Sequence, residues 1–243
     1  MFSIDSHYNG PPGMGHGGVS AGRFAALVEP DAARVRFRRP IPLDVALTTT
    51  YEDGIANIHA GEELVATARA LDGPLEIGPF PSMCERDLHL AEQRWLEPTG
   101  GRHMAPACFA CGHLRDLGGL GLRPGPIPGP DGTTTGVIGC RWRPEGSGRV
   151  PAWMIWAALD CPTGFPAFAS TNPDEAVVTA ELSVHVIEPV HAGQTMRILS
   201  RRVAKEGRRH HTEACLLGPD GRRYAVASAI WCTVPIASFA AAA

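Results

Sequence analysis

Two stretches of the chain alternate apolar and polar residues with a period of two and share one grammar. Val35-Arg36-Phe37-Arg38-Arg39-Pro40 is one, and Leu182-Ser183-Val184-His185-Val186-Ile187-Glu188-Pro189 is the other. Each predicts a strand that stops at a proline, which cannot donate to a sheet ladder. Further strands are predicted at 45–51 and 63–71 after the first, and at 194–203, 211–217 and 224–234 after the second. Asp220-Gly221 supplies a hairpin turn between the last two. An Ala-rich stretch, apolar nearly all round, precedes each set: His16 to Leu27 and Ala152 to Cys161. Helices of that kind are buried. Pro162 is expected to end or kink the second helix just after Asp160. A buried helix followed by antiparallel strands, occurring twice, predicts an α+β tandem repeat.

Between the repeats, Pro and Gly clusters from Pro79 to Gly132 read as a linker. A helix is expected inside it, from Pro81 to Trp95, on the strength of Met83, Leu88 and Leu90. The expected division is 1–80 for the N-terminal repeat, 81–107 for the linker and 108–237 for the C-terminal repeat, with an Ala-rich tail at 238–243.

Composition adds limits rather than a direction. The 243 residues are 44% hydrophobic and 19% charged, enough for a substantial core. The net charge of −3 gives no electrostatic case for nucleic acid or a membrane surface. No apolar run reaches the roughly 18 residues of a membrane helix, and Met1-Phe2-Ser3-Ile4-Asp5 lacks the pattern of a signal peptide. A cytoplasmic location is expected. Seven cysteines, an odd number in a long chain, suit reduced thiols better than a disulfide framework.

Three motifs carry a resemblance. His16-Gly17-Gly18 opens the first helix, with Asn9 seven residues earlier. Cys108-Phe109-Ala110-Cys111-Gly112 is followed by Gly119-Leu120-Gly121-Leu122. Leu159-Asp160 lies late in the second helix. With the paired strand pattern, these resemble the hotdog-fold superfamily of phenylacetyl-CoA-thioesterase-like proteins, in a tandem, double-hotdog arrangement. The resemblance implies two antiparallel sheets, each wrapped around a central helix and related by a pseudo-two-fold. It also implies acyl-CoA or another acyl thioester as substrate, no cofactor, no metal, and leaves a homodimer open.

In thioesterase members, as the resemblance implies, the Gly-rich helix start offers a backbone N–H to the thioester carbonyl. A helix N-terminus has unpaired donors and a partial positive charge suited to a developing oxyanion. A carboxylate nine residues after the His, from the opposite subunit, activates water or attacks directly. Nine residues after His16 stands Ala25, and nine before Asp160 stands Pro151. The first repeat therefore keeps the oxyanion half, and the second keeps the acid. One composite site is expected: Gly17 polarising the carbonyl, Asp160 as base or nucleophile, Asn9 orienting. His16, Gly18, Met14, Trp153, Trp156 and Thr163 are expected around the substrate, with Phe165 in the acyl pocket. The alternatives are a non-catalytic acyl-thioester-binding or scaffold protein, and a hydratase or dehydratase.

Other residues are read blandly. Cys108 and Cys111 have metal-like spacing, but a structural zinc site wants four ligands and no second CxxC exists. They are expected to pack the linker. Cys161 has no sequence context for a nucleophile. The arginines 34, 36, 38, 39, 201, 202, 208 and 209 suit a solvated strand face, with coenzyme A phosphates as the alternative.

Overall fold

The computed structural model describes residues 1–115, 118–129 and 133–237. The Ala-rich tail at 238–243 lies outside the described residues. The first apolar stretch forms α1 (Gly17–Ala25), with His16 as its cap: Nδ1 of His16 accepts the Val19 N–H at 3.2 Å. Four strands follow: β1 (Ala32–Phe37), β2 (Leu47–Glu52), β3 (Ile55–Ala60) and β4 (Glu63–Ala70). The second apolar stretch forms α3 (Ala152–Phe168), leading into β7 (Glu175–Val186), β8 (Met196–Glu206), β9 (Arg209–Leu217) and β10 (Arg223–Pro235).

The region between is more structured than its turn chemistry suggests. It holds α2 (Glu85–Gln93), β5 (Gly125–Pro128) and β6 (Thr134–Trp142). The carboxylate of Glu92 on α2 accepts the Arg141 backbone N–H at 2.7 Å and the Arg141 Nε–H at 3.1 Å, fastening the helix to β6.

All the strands pair antiparallel in the order β2-β3-β4-β1-β7-β10-β9-β8-β6-β5. The two sheets of the tandem repeat are thus continuous. Their seam is β1 on β7, with Ala33 opposite Val184 and Val35 opposite Leu182. Strand parity sorts the apolar side chains. Ile138, Ile198, Leu216 and Ala225 join the core around α3, while Val137, Leu199, Cys215 and Val226 pack with Leu88 and Ala91 of α2 on the opposite face.

α3 does not stop at Pro162 as expected. It runs through Pro162 and Pro166 to Phe168. The carbonyl of Pro162, which Pro166 cannot serve, accepts the Ser200 hydroxyl at 2.6 Å instead. None of the described helices is long and apolar enough to cross a membrane.

Candidate active site at the α1–α3 crossing

The site exists because two glycines let α1 press against α3. A Cβ at Gly18 would lie 2.6 Å from both the Trp156 carbonyl oxygen and the Asp160 Cβ, and one at Gly22 would lie 2.5 Å from the Trp153 Cα. The contacts run in opposite senses along the two helices, so residues late in α3 meet the first turn of α1. Asp160 arrives there with 2% of its surface exposed.

Its carboxylate is held at both oxygens. The Gly18 N–H donates to Oδ2 at 2.8 Å, and the Thr179 hydroxyl donates to Oδ1 at 3.0 Å. His16 Nε2 lies 3.7 Å from Oδ2. Burial pushes the Asp160 pKa above the ordinary carboxylate range, against the downward pull of His16, the Gly18 N–H and Thr179. Within this first turn the Val19 N–H goes to His16 and the Ser20 N–H to the His16 carbonyl. The Gly17 N–H has no protein partner among the described residues.

Gly17, Asp160 and Thr179 line one cavity of about 370 Å³. Its walls are apolar, with Met14, Ile41, Phe165, Phe168, Val177 and Trp231 among them. That size and lining suit an acyl chain. A Cβ on Gly17 would come within 2.8 Å of Thr179 Oγ1 and 2.9 Å of Asp160 Oδ2, so only the missing side chain lets this first turn of α1 lie against the carboxylate. Arg38 and Arg39, both exposed, also line the cavity.

Several residues expected at the site lie elsewhere. Asn9 does not line the cavity. Its Nδ2 donates to the Ala107 carbonyl at 3.0 Å and its Oδ1 accepts from Arg115 at 2.7 Å, so it anchors the loop that carries Cys108. Thr163 accepts the Trp231 indole N–H at 3.0 Å and donates to the Asp160 carbonyl at 2.6 Å, which spends its hydroxyl on packing. The Trp156 indole donates to the Pro30 carbonyl at 3.0 Å, in the interior. Trp153 packs edge-on against Tyr8, under the Arg23 guanidinium. The Gly18 N–H is committed to Asp160, whereas Met14, His16, Gly17 and Phe165 line the cavity.

Thr179 was missed, since nothing in Ala176-Val177-Val178-Thr179-Ala180 marks the hydroxyl. Its position two residues from Val177, on the same strand face, is the signal that could have found it. Most of the arginines considered for phosphates are engaged. Arg36 pairs with Glu181 at 2.7 Å and Arg39 with Glu63 at 2.7 Å, and Arg201 Nε donates to Glu213 at 2.8 Å. Arg38, at the cavity, makes no ion pair among the described residues.

No family model and no curated protein matches the sequence. Solved structures do match over nearly the full length. A tesB protein of Mycobacterium avium subsp. paratuberculosis superposes with a TM-score of 0.58 at 12% identity, covering 96% of this chain and 91% of that one. A protein of unknown function with a hot dog fold from Alicyclobacillus acidocaldarius gives 0.57 at 14% identity, with the same coverage. The fold is a double hotdog. An acyl-CoA thioesterase II of Mycobacterium marinum has this double-hotdog chain path too, with a TM-score of 0.55 at 14% identity over 90% of this chain and 89% of that one. In this chain α1 and α3 are the paired central helices, packed through Gly18 and Gly22.

Proposed function

We propose that this double-hotdog chain hydrolyses acyl thioesters, with coenzyme A the expected thiol, at one composite site shared by its two repeats. One observation carries the reading: Gly17, whose N–H has no protein partner among the described residues, and the buried Asp160 line the same apolar cavity. The thioester carbonyl oxygen would accept the Gly17 N–H, which stabilises the charge that develops as the carbonyl carbon becomes tetrahedral. Asp160 would take a proton from the attacking water and return it to the departing thiolate, giving a carboxylic acid and a free thiol. Its raised pKa strengthens it as a base, and Thr179 fixes the far oxygen. The acyl chain would lie against Phe165, Phe168 and Val177. The acyl-CoA thioesterase among the structural relatives agrees with this chemistry.

The test is thiol release from a panel of acyl-CoAs, short, long and aromatic, with wild type and Asp160→Asn. Turnover that falls about 10²-fold or more in the variant, the scale of losing a general base, supports the mechanism. Turnover indifferent to Asp160 overturns it. A second reading, acyl-thioester binding without hydrolysis, is favoured by the two hydrogen bonds that Asp160 already accepts. Saturable binding of an acyl-CoA with no thiol release would establish that reading instead.

A further inference from the structure

The sequence holds one CxxC and no second pair, yet the fold brings two more metal-binding side chains to it. Cys108 and Cys111 sit on the loop that Asn9 anchors, Cys161 follows Asp160 on α3, and His16 caps α1. The ligating atoms of His16, Cys108 and Cys161 lie within 4.8 Å of one another. Cys161 Sγ is 3.3 Å from His16 Nε2 and 3.7 Å from Cys108 Sγ. Cys111, buried three residues after Cys108 on the same loop, stands next to this close group of three but outside it. His16, Cys108, Cys111 and Cys161 are 1%, 3%, 4% and 9% exposed. We infer that His16, Cys108 and Cys161, with the adjacent Cys111 of the same CxxC closing in as the remaining ligand, form a Cys₃His site for a zinc-class divalent cation, set in the wall of the cavity between the two repeats.

The distances fit that ion. Zinc bonds of about 2.3 Å to sulfur and about 2.0 Å to nitrogen, arranged tetrahedrally, give edges of about 3.8 Å for S···S and about 3.5 Å for N···S. Both observed separations are within a few tenths of an ångström of these. A disulfide is excluded for Cys108 and Cys161 at 3.7 Å, since that bond is near 2.05 Å. The loop makes a tight turn from Cys108 to Gly112 that keeps Cys111 beside the group. The Gly112 N–H donates to the Cys108 carbonyl at 2.9 Å, and a Cβ on Gly112 would sit 2.5 Å from the Cys108 nitrogen.

The other buried cysteines show what packing alone looks like. Cys140 and Cys215 are set singly among apolar neighbours, and burial raises both pKa values, to about 12 for Cys215. In the cluster, by contrast, two sulfurs face each other at 3.7 Å with the His16 Nε2 3.3 Å from one of them. Three thiols and an imidazole select a borderline-soft ion such as zinc over magnesium or calcium. With the metal on Nε2, the neutral His16 ring keeps its proton on Nδ1, so the Val19 N–H gives up its 3.2 Å cap.

The inference stands apart from the proposed hydrolysis, and its readout is metal content. The chain is purified without chelators or a metal-affinity step, and zinc per chain is measured by mass spectrometry. Apoprotein is then titrated with cobalt(II). One zinc per chain, with an intense thiolate-to-cobalt band and tetrahedral visible bands, is expected for wild type. Cys111→Ser and Cys161→Ser should lose the metal, while Cys84→Ser, outside the cluster, should keep it. His16→Asn, which retains a capping side chain, should shift the visible bands, and an unchanged spectrum would overturn His16 as the fourth ligand. Circular dichroism reports whether each variant folds, and the wild-type titration decides the matter if one does not. Wild-type protein that carries no metal and gives no thiolate-to-cobalt band overturns the site.

Discussion

Thr179 shows how much one hydroxyl can do in a buried site. It is the donor to the Asp160 oxygen that the α1 N-terminus does not reach. Thr179→Val keeps the shape and removes the donor. Leaving a buried carboxylate oxygen unpaired costs about 1–3 kcal/mol. Chemical denaturation should show that loss, and thiol release should fall about tenfold, the equivalent of about 1.4 kcal/mol. Thr179→Ser should recover most of both. His103, also at the cavity, is a residue whose effect depends on acidity. Burial lowers its pKa from 6.5 to about 4. The unfolded chain therefore binds a proton there that the folded chain refuses, so this contribution to stability is complete above about pH 6.5 and is lost as the pH falls towards 4. His103→Phe, placed beside Trp95 and Phe165, should remove that dependence. The stability difference between pH 7.5 and pH 5, measured by urea denaturation, should shrink by about 2 kcal/mol relative to wild type.

Among the elements, the α1–α3 crossing is the least forgiving. Gly22→Ala would drive a methyl into the Trp153 backbone. Overpacking of this kind costs about 1–3 kcal/mol, and a drop of that size in urea denaturation is expected, with thiol release lowered as Asp160 moves off the α1 N-terminus. Glu92→Gln should free α2 from β6 at a cost of about 1 kcal/mol, without changing turnover, because α2 packs on the face away from the cavity. The periodic strands and both buried helices were legible in the sequence, since their apolar spacing is the property that buries them. β3 was not, because Ile55-Ala56-Asn57-Ile58-His59-Ala60 is short and weakly apolar, and its pairing with β2 and β4 supplies what its composition lacks. β5 and β6 were hidden by glycine and proline. Gly125-Pro126-Ile127-Pro128 reads as a turn, and only its position at the sheet edge, where a missing N–H is tolerated, makes it a strand. The same limit applies to the site. Gly17 and Asp160 were expected from the family resemblance, whereas Cys161 and His16 come to Cys108 only through the crossing of two helices and a loop.

At the scale of the molecule, the chain uses its pseudo-symmetry unequally. One end of the helix crossing carries the carboxylate, the open N–H and the cavity. At the other end Trp153 lies over Gly22 and against Tyr8. The continuous sheet also sets when the protein can be completed. β1 finds its second partner only at residues 181–185 of β7. At a synthesis rate of about 5–20 residues per second, the roughly 150 residues from β1 to its partner take about 7 to 30 seconds, during which one edge of β1 stays unpaired. An open edge of that kind is a template for another copy. Residues 1–80 produced alone should therefore elute as oligomers in size-exclusion chromatography, where the full chain has that edge covered. The seam that joins the two repeats thus also makes the ribosome's timetable part of the folding problem, and slow translation ahead of β7 would lower the yield of native protein without altering a single native contact.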